Sequence, residues 1–482
     1  MIAVLLALLM LLPACSEQTE TDESESSAAD ESITETVPEE TEYKPDLPDV
    51  TYEGEDFKVL YKWNTGNYYP VTDLVSDGIT GEVVNDAVYN RNIELEDKFK
   101  IKIAPNPHEE PTNFAKDDFM SGSKSYDFMM GQGFKVLPAS LEGYFYDWNT
   151  LTYFNSDDPW WDSNAAEQIS YANRLYAMAG DISCCPHNRA RFIYFSKGVL
   201  QTYGLEAPYD LVREGRWTID EMSDLAVQVS TDLNGDGVYN EEDCLGILTE
   251  GYMHYLTGCG VKQISKDEND IPYVDCINEY TLTAMEKIKE MHELPNATCS
   301  YNQAGSGKNI GDFGHKWDYV RGTYYVNNHF LFTQNGAGVA SQFIEMDPGY
   351  GILPNPKLDA NQESYWHMAE GEACLMALPA DADNIAKTDA IITYWAYSSD
   401  EVIDAFYEIT LKHKRFDSPD DAEMLDIIRS SMRYELGVLL DFGIQAVLNE
   451  SFDNGNLMST YQKNSKRIEK MIESSFKQFL EE

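Results

Sequence analysis

Beyond Val50 the apolar positions fall into two kinds of run, short ones suited to strands and longer ones spaced for helices. "EDFKVLYKW", 55–63, predicts a first strand, and a polar loop follows it. "GEVVNDAVYNRNIELEDKFKIKI", 81–103, reads as a helix running into a second strand. "SYDFMMGQGF", 125–134, reads as a third strand with a glycine-flanked tip. In "GRWTIDEMSDLAVQVS", 215–230, Thr218 is a candidate N-cap with Glu221 three residues on. Ile219, Met222, Leu225, Ala226 and Val229 recur behind it at helical spacing. Further helices are predicted over 280–294, 383–396, 401–413 and 420–440, and no repeat period stands out. Strands alternating with helices predict an α/β fold, whose ligands bind at the carboxyl ends of the strands.

The amino-terminal 49 residues break this pattern. "MIAVLLALLMLL", Met1 to Leu12, is an apolar run too short to span a bilayer, which takes roughly 20 residues, and it suits an export signal. "LPAC", Leu12 to Cys15, resembles the lipobox of bacterial lipoproteins, in which the cysteine thiol is lipidated; residues 1–15 are then the signal and Cys15 the anchor. From Ser16 to Asp49 the chain is Ser, Thr, Glu and Asp with one lysine, too little apolar surface to offset ordering entropy, so 16–49 is expected to be a disordered acidic tether. The expected location is the outer face of a bacterial cell membrane.

Charge and cysteines narrow the partners. With 83 Asp plus Glu against 35 Lys plus Arg, the formal net charge is -48, which excludes nucleic acid as a natural partner. Seven cysteines lie beyond Cys15, none in a C-x-x-C spacing, and their connectivity stays open. Adjacent Cys184 and Cys185 read as buried small hydrophobes.

"STDLNGDGVYNEED", 230–243, carries the most specific chemistry. Oxygen donors fall at loop positions one (Asp232), three (Asn234), five (Asp236), nine (Asn240) and twelve (Asp243), with Gly237 at six and the Val238 carbonyl at seven. This is the EF-hand order, in which hard oxygens wrap a calcium ion and glycine permits the sharp turn. One such loop, with no second to pair with, predicts a structural Ca2+ site rather than a sensor.

Several stretches resemble one family, the extracellular solute-binding proteins of ATP-binding-cassette importers, in the branch that includes sugar binders. They are "YDFMMGQG" (126–133), "DPWWDSNAAEQISYANRLYAMAGDIS" (158–183), "FIYFSKGVLQTYGLEAPYDLVREGRWTIDEM" (192–222) and "YGILPNPKLDANQESYW" (350–366), and they come in the family's order. The resemblance implies a two-lobed periplasmic-binding-protein-like fold of type II, with a hinge and an interlobe cleft. Lobe 1 is then expected at 50–147 plus 327–398 and lobe 2 at 148–326 plus 399–482. Some sugar-binding members carry an EF-hand-like loop.

The implied function is capture of a carbohydrate, an oligosaccharide by preference, and delivery to a transmembrane permease, by a monomer with no reaction of its own. Sugar sites pair aromatic platforms with hydrogen-bonding side chains, and the chain has 8 Trp, 31 Tyr and 20 Phe. Position relative to the expected cleft singles out Trp63, Asn64, Gln132, Phe134, Asp181, Asn188, Arg191, Trp317, Trp366 and His367, with His187 beside them. Trp160 and Trp161 read as hinge packing, and "GSGKN", 305–309, as a loop rather than a phosphate cradle. Two alternatives stay open: a secreted carbohydrate-active enzyme working through paired carboxylates, and a surface lipoprotein or sensor partner without a transport role.

Overall fold

The computed structural model describes residues 43–63, 71–407 and 418–480. The signal, Cys15, the tether up to residue 42, and Asn64 lie outside the described residues, as does the second half of the helix expected over 401–413. In chain order the strands are β1 (Glu55–Lys62), β2 (Ile101–His108), β3 (Phe128–Gln132), β4 (Arg191–Ser196), β5 (Leu245–Thr249), β6 (Ile264–Lys266), β7 (Pro272–Val274), β8 (Thr298–Ser300), β9 (Phe330–Gly336), β10 (Tyr350–Leu353), β11 (His367–Met368), β12 (Cys374–Ala377) and β13 (Met432–Arg433).

Two mixed sheets organise the chain from Pro45 onward. The first has the order β12-β3-β1-β2, with β1 parallel to both β2 and β3 and with β12 antiparallel to β3. The second has the order β10-β4-β9-β5-β8, in which β5 runs parallel to β9 and β8 while β4 is antiparallel to β9 and β10. Phe57, Val59 and Leu60 in the first sheet, and Leu245, Ile247, Phe330 and Phe332 in the second, are fully buried. Trp217 lies under the second sheet with its indole N–H on the Pro354 carbonyl at 2.9 Å and its ring 5.6 Å from Phe332.

The segment 327–398 does not belong to one lobe. β9 and β10 hydrogen-bond to β4 and so complete the second sheet, whereas β12 and the helix Ile385–Tyr397 join the first. The chain therefore crosses between the sheets over 133–190, returns over 354–373, and leaves again after the short helix Asp400–Asp404, which still packs on the first lobe's helix Val83–Phe99. The two long crossovers run side by side, bridged at Met178–Met376 and Ala190–Ala369. Helix Pro419–Ser430 then packs on β10, but Leu436–Leu439 packs on Gly133–Leu141 of the first lobe, so the carboxyl-terminal segment serves both lobes.

Local signals account for most elements. The Thr218 hydroxyl accepts the Glu221 amide at 3.3 Å and opens helix Ile219–Val229, but the Glu221 carboxylate turns to Arg216 at 3.9 Å instead of closing a capping box. The helix expected over 420–440 stops at Ser430. Met432–Arg433 pairs with His367–Met368, and the Glu435 carboxylate caps a new short helix by accepting the Gly437 amide at 3.2 Å.

Candidate functional site

A cleft of about 730 Å³ opens where the crossovers meet the strand ends of both sheets. The sheet pairings put its side chains there. Arg191 opens β4 opposite Gly336, the last residue of β9, and Glu250 directly follows the parallel strand β5, so all three share one end of the second sheet. The Ala190–Ala369 bridge carries Glu370 to the same place. From the first sheet, the β3–β12 pairing is prolonged by Gly133 N–H to the Ala373 carbonyl and Phe134 N–H to the Gly371 carbonyl, each at 2.9 Å, which sets the half-exposed Phe134 ring on the rim. Gly133 is needed for close approach: a Cβ there would come within 2.8 Å of Leu439.

Charge is concentrated on one network. The Arg191 guanidinium donates to Glu370 through Nε and to Glu250 through an Nη. Arg189 reaches Glu370 at 3.3 Å and Glu372 at 3.5 Å, and His254 lies 3.9 Å from Glu370. Burial alone would lower the Arg191 pKa, but Glu370 and Glu250 outweigh it and hold it above the ordinary value. Burial also pushes against the Glu370 carboxylate, yet the Arg191 and Arg189 guanidinium groups keep its pKa below the usual range. Burial pushes Glu250 up and lowers His254 to about 3, so His254 is neutral.

The opposite wall is aromatic and amide-rich. Trp317 stands 5.6 Å from the Tyr301 ring, and Arg321, at the start of a π-helical turn (Arg321–Tyr325), donates to Gln342 at 2.9 Å and Asn335 at 3.2 Å. π-turns of this kind recur at functional sites. Trp317 Nε1, His254 Nδ1 and Asn188 Oδ1 are buried polar atoms with no hydrogen-bond partner among the described residues. Such atoms are costly unless a ligand or water meets them.

Four of the sequence-chosen residues, Phe134, Asn188, Arg191 and Trp317, line this cleft together. The others do not. Trp63 is exposed at the end of β1 and bound through its amide to the His108 carbonyl at 2.8 Å. Gln132 ends β3, paired with Cys374. Asp181 and His187 sit in a separate pocket of about 290 Å³ with Arg429, where burial raises the Asp181 pKa to about 7 despite Arg429 and lowers His187 to about 4. Trp366 lies in a third pocket of about 370 Å³, under the Arg433 guanidinium at 4.6 Å. His367 is fully buried and acts behind the site. Its Nε2 accepts the Asn355 amide at 2.9 Å, which leaves the proton on Nδ1 facing Ser431, and Asn355 in turn holds the Arg191 carbonyl at 2.9 Å. Sequence reasoning missed Glu250, His254, Arg321 and Glu370. Glu250 had a readable signal, a lone acid at the carboxyl end of the fully apolar run "LGIL". Trp160 and Trp161 are buried among rings, Trp161 against Trp148 at 5.6 Å and Trp160 against Tyr397 at 5.4 Å. Lys308 of "GSGKN" pairs with Glu241 at 2.7 Å.

In the acidic loop, Asp232 accepts the Gly237 amide at 2.8 Å, Asn234 that of Asp236 at 2.9 Å, and Asp236 that of Val238 at 2.7 Å. Asp243 is fully buried and accepts the Leu233 amide at 3.0 Å and the Asn240 amide at 2.9 Å, which closes the loop. Gly237 takes φ 77°, the left-handed turn expected at position six. The donor order fits a hard cation, but no three carboxylate, imidazole or thiol groups among the described residues converge as a metal-ligating cluster.

No family model matches the chain, and no curated protein matches it. Solved structures do. UspC of Mycobacterium tuberculosis is similar with a TM-score of 0.56 at 10% identity, covering 86% of this chain and 99% of that one. The GacH receptor of Streptomyces glaucescens, solved unliganded and with acarbose, gives 0.50 at 14%, covering 87% and 98%. An ABC substrate-binding protein of Listeria monocytogenes in complex with cycloalternan gives 0.50 at 12%, covering 88% and 99%. The chain shares the two-lobed α/β fold of these structures, as the sequence resemblance implied.

Proposed function

We propose that this protein captures a carbohydrate, an oligosaccharide by preference, in the cleft between its lobes and delivers it to the permease of an ATP-binding-cassette importer, as a lipid-anchored monomer on the outer face of the membrane and without chemistry of its own. The observation that carries this reading is the composition of the 730 Å³ cleft. Aromatic Phe134 and Trp317 offer faces to sugar C–H surfaces, while Arg191, Glu250, Asn188, Asn335 and Glu370 offer hydrogen bonds to hydroxyls. Acarbose in GacH and cycloalternan in the Listeria protein are carbohydrates held in the same fold. No helix among the described residues is long and apolar enough to cross a membrane, so anchoring in this reading rests on Cys15.

Thermal unfolding against mono- and oligosaccharides, with peptides as controls, tests the proposal. A sugar at about 100 times its dissociation constant adds roughly 2.7 kcal/mol to the native state, a clear rise in Tm. Trp317→Ala is expected to weaken that ligand about 10- to 100-fold in titration calorimetry, on the order of 1–3 kcal/mol for a lost aromatic platform. A response to peptides alone sinks the carbohydrate assignment, and appearance of shortened sugars in the same tube sinks capture without hydrolysis.

Calcium in the 232–243 loop is the second part of the proposal, supported by the donor order and by Gly237; Asp232, Asn234, Asp236, the Val238 carbonyl, Asn240 and Asp243 would hold the ion. Chelation is then expected to lower Tm by a few degrees and readdition of Ca2+, but not Mg2+, to restore it. Identical melting with and without chelator removes the ion from the account.

A further inference from the structure

Cys185 and Cys374 lie 189 positions apart in sequence, and the two crossovers bring them together. The bridges at Met178–Met376 and Ala190–Ala369 flank the pair on either side. The Cys374 amide donates to Cys185 Sγ at 3.4 Å, while the Cys374 thiol reaches the Glu372 carbonyl at 3.9 Å. Each is held from behind. Asp73 accepts the Cys184 amide and the Ser183 hydroxyl, and Ser183 Oγ accepts the Cys185 amide at 3.1 Å, which fixes the backbone of the first thiol. Cys374 opens β12 opposite Gln132 and is equally constrained. Both thiols are buried, and this pair is joined by the amide-to-sulfur hydrogen bond.

We infer that Cys185 and Cys374 are a disulfide-forming pair, a covalent cross-link between the outgoing crossover and the start of β12, where the returning one ends. The reaction needs an oxidant of the disulfide class, a small-molecule disulfide or a thiol oxidoreductase. The Cys185 thiolate attacks one sulfur of the oxidant and expels a thiolate, giving a mixed disulfide. The Cys374 thiolate then attacks Cys185 Sγ and expels the second. Two protons leave the protein thiols, two electrons pass to the oxidant, and one disulfide is exchanged for another. Cys185 is the better first nucleophile. Hydrogen bonding from Cys374 is the largest influence on it, and with Arg189 it outweighs burial and pulls its pKa below the ordinary thiol value, while the same contact and burial push Cys374 well above it. Cys184, next in sequence, is held well above the ordinary value by burial and by Asp73 and Asp181, and its amide is committed to Asp73. The inference stands whatever ligand the cleft takes.

The test uses the full chain incubated with glutathione disulfide, then denatured, alkylated at remaining thiols and digested without reductant. Mass spectrometry is expected to find the peptide bearing Cys184 and Cys185 joined to the peptide bearing Cys374, with fragmentation placing the bond at Cys185. Reduction should separate them. Cys184→Ser should keep the link and Cys185→Ser should abolish it, and the fragmentation of the unsubstituted protein decides the matter if either variant does not fold. Alkylated thiols at both positions, a lasting glutathione adduct on Cys185, or a Cys184–Cys374 bond would overturn the inference.

Discussion

Arg191→Met is expected to destabilise the protein by about 3–5 kcal/mol in chemical unfolding, far more than loss of a surface ion pair. The guanidinium is largely buried between Glu370 and Glu250, so its removal leaves two desolvated carboxylates without their main counter-charge. The contribution of Glu370 to the pH dependence should change sign with it. In the native protein Glu370 titrates below its ordinary range, so its pairing adds stability at neutral pH that is lost as pH falls through that depressed value. Without Arg191 both carboxylates bind protons more readily folded than unfolded. Stability of the variant should therefore rise as the pH is lowered from about 8 to about 5. Glu250→Gln and Glu370→Gln added to Arg191→Met should recover part of the loss. A cost under about 1 kcal/mol, or an unchanged pH slope, would show that water screens the network.

Trp217→Ala should cost a similar amount, about 3–5 kcal/mol, by emptying the space of a fully buried indole. It removes the contact with Phe332 and leaves the Pro354 carbonyl without its donor. Trp217→Phe fills most of the volume and isolates the hydrogen bond, expected at about 1–2 kcal/mol. Urea midpoints of the two variants separate the terms. Both should leave the cleft's ligand preference unchanged, because Trp217 is not among its lining residues.

Local order was readable where neighbours along the chain decide it. The first three strands, the Thr218 cap and the helices Val83–Phe99, Glu279–His292 and Ile385–Tyr397 follow from apolar spacing and capping residues. The lobe assignment failed between 330 and 353 because strand partnership is chosen by residues far away in sequence: β9 and β10 are held by β4, and nothing within either strand says so. The candidate site divides for the same reason. Phe134, Asn188, Arg191 and Trp317 sit at element ends that point into one cleft, whereas Trp366 and Asp181, chosen on the same grounds, lie on crossovers that carry them into other pockets. Glu370 was invisible because only the Ala190–Ala369 bridge gives it a partner. Among 83 acidic residues, composition alone cannot mark one.

The order in which the chain is built has a consequence for when it can work. β12 closes the first sheet and β10 the second, so at the moment residue 350 leaves the ribosome neither sheet is whole. Val438, Leu440, Asp441 and Gln445 still have to arrive to form one wall of the cleft. A chain emerging from its amino terminus first therefore holds no finished cleft until Gln445 has been made.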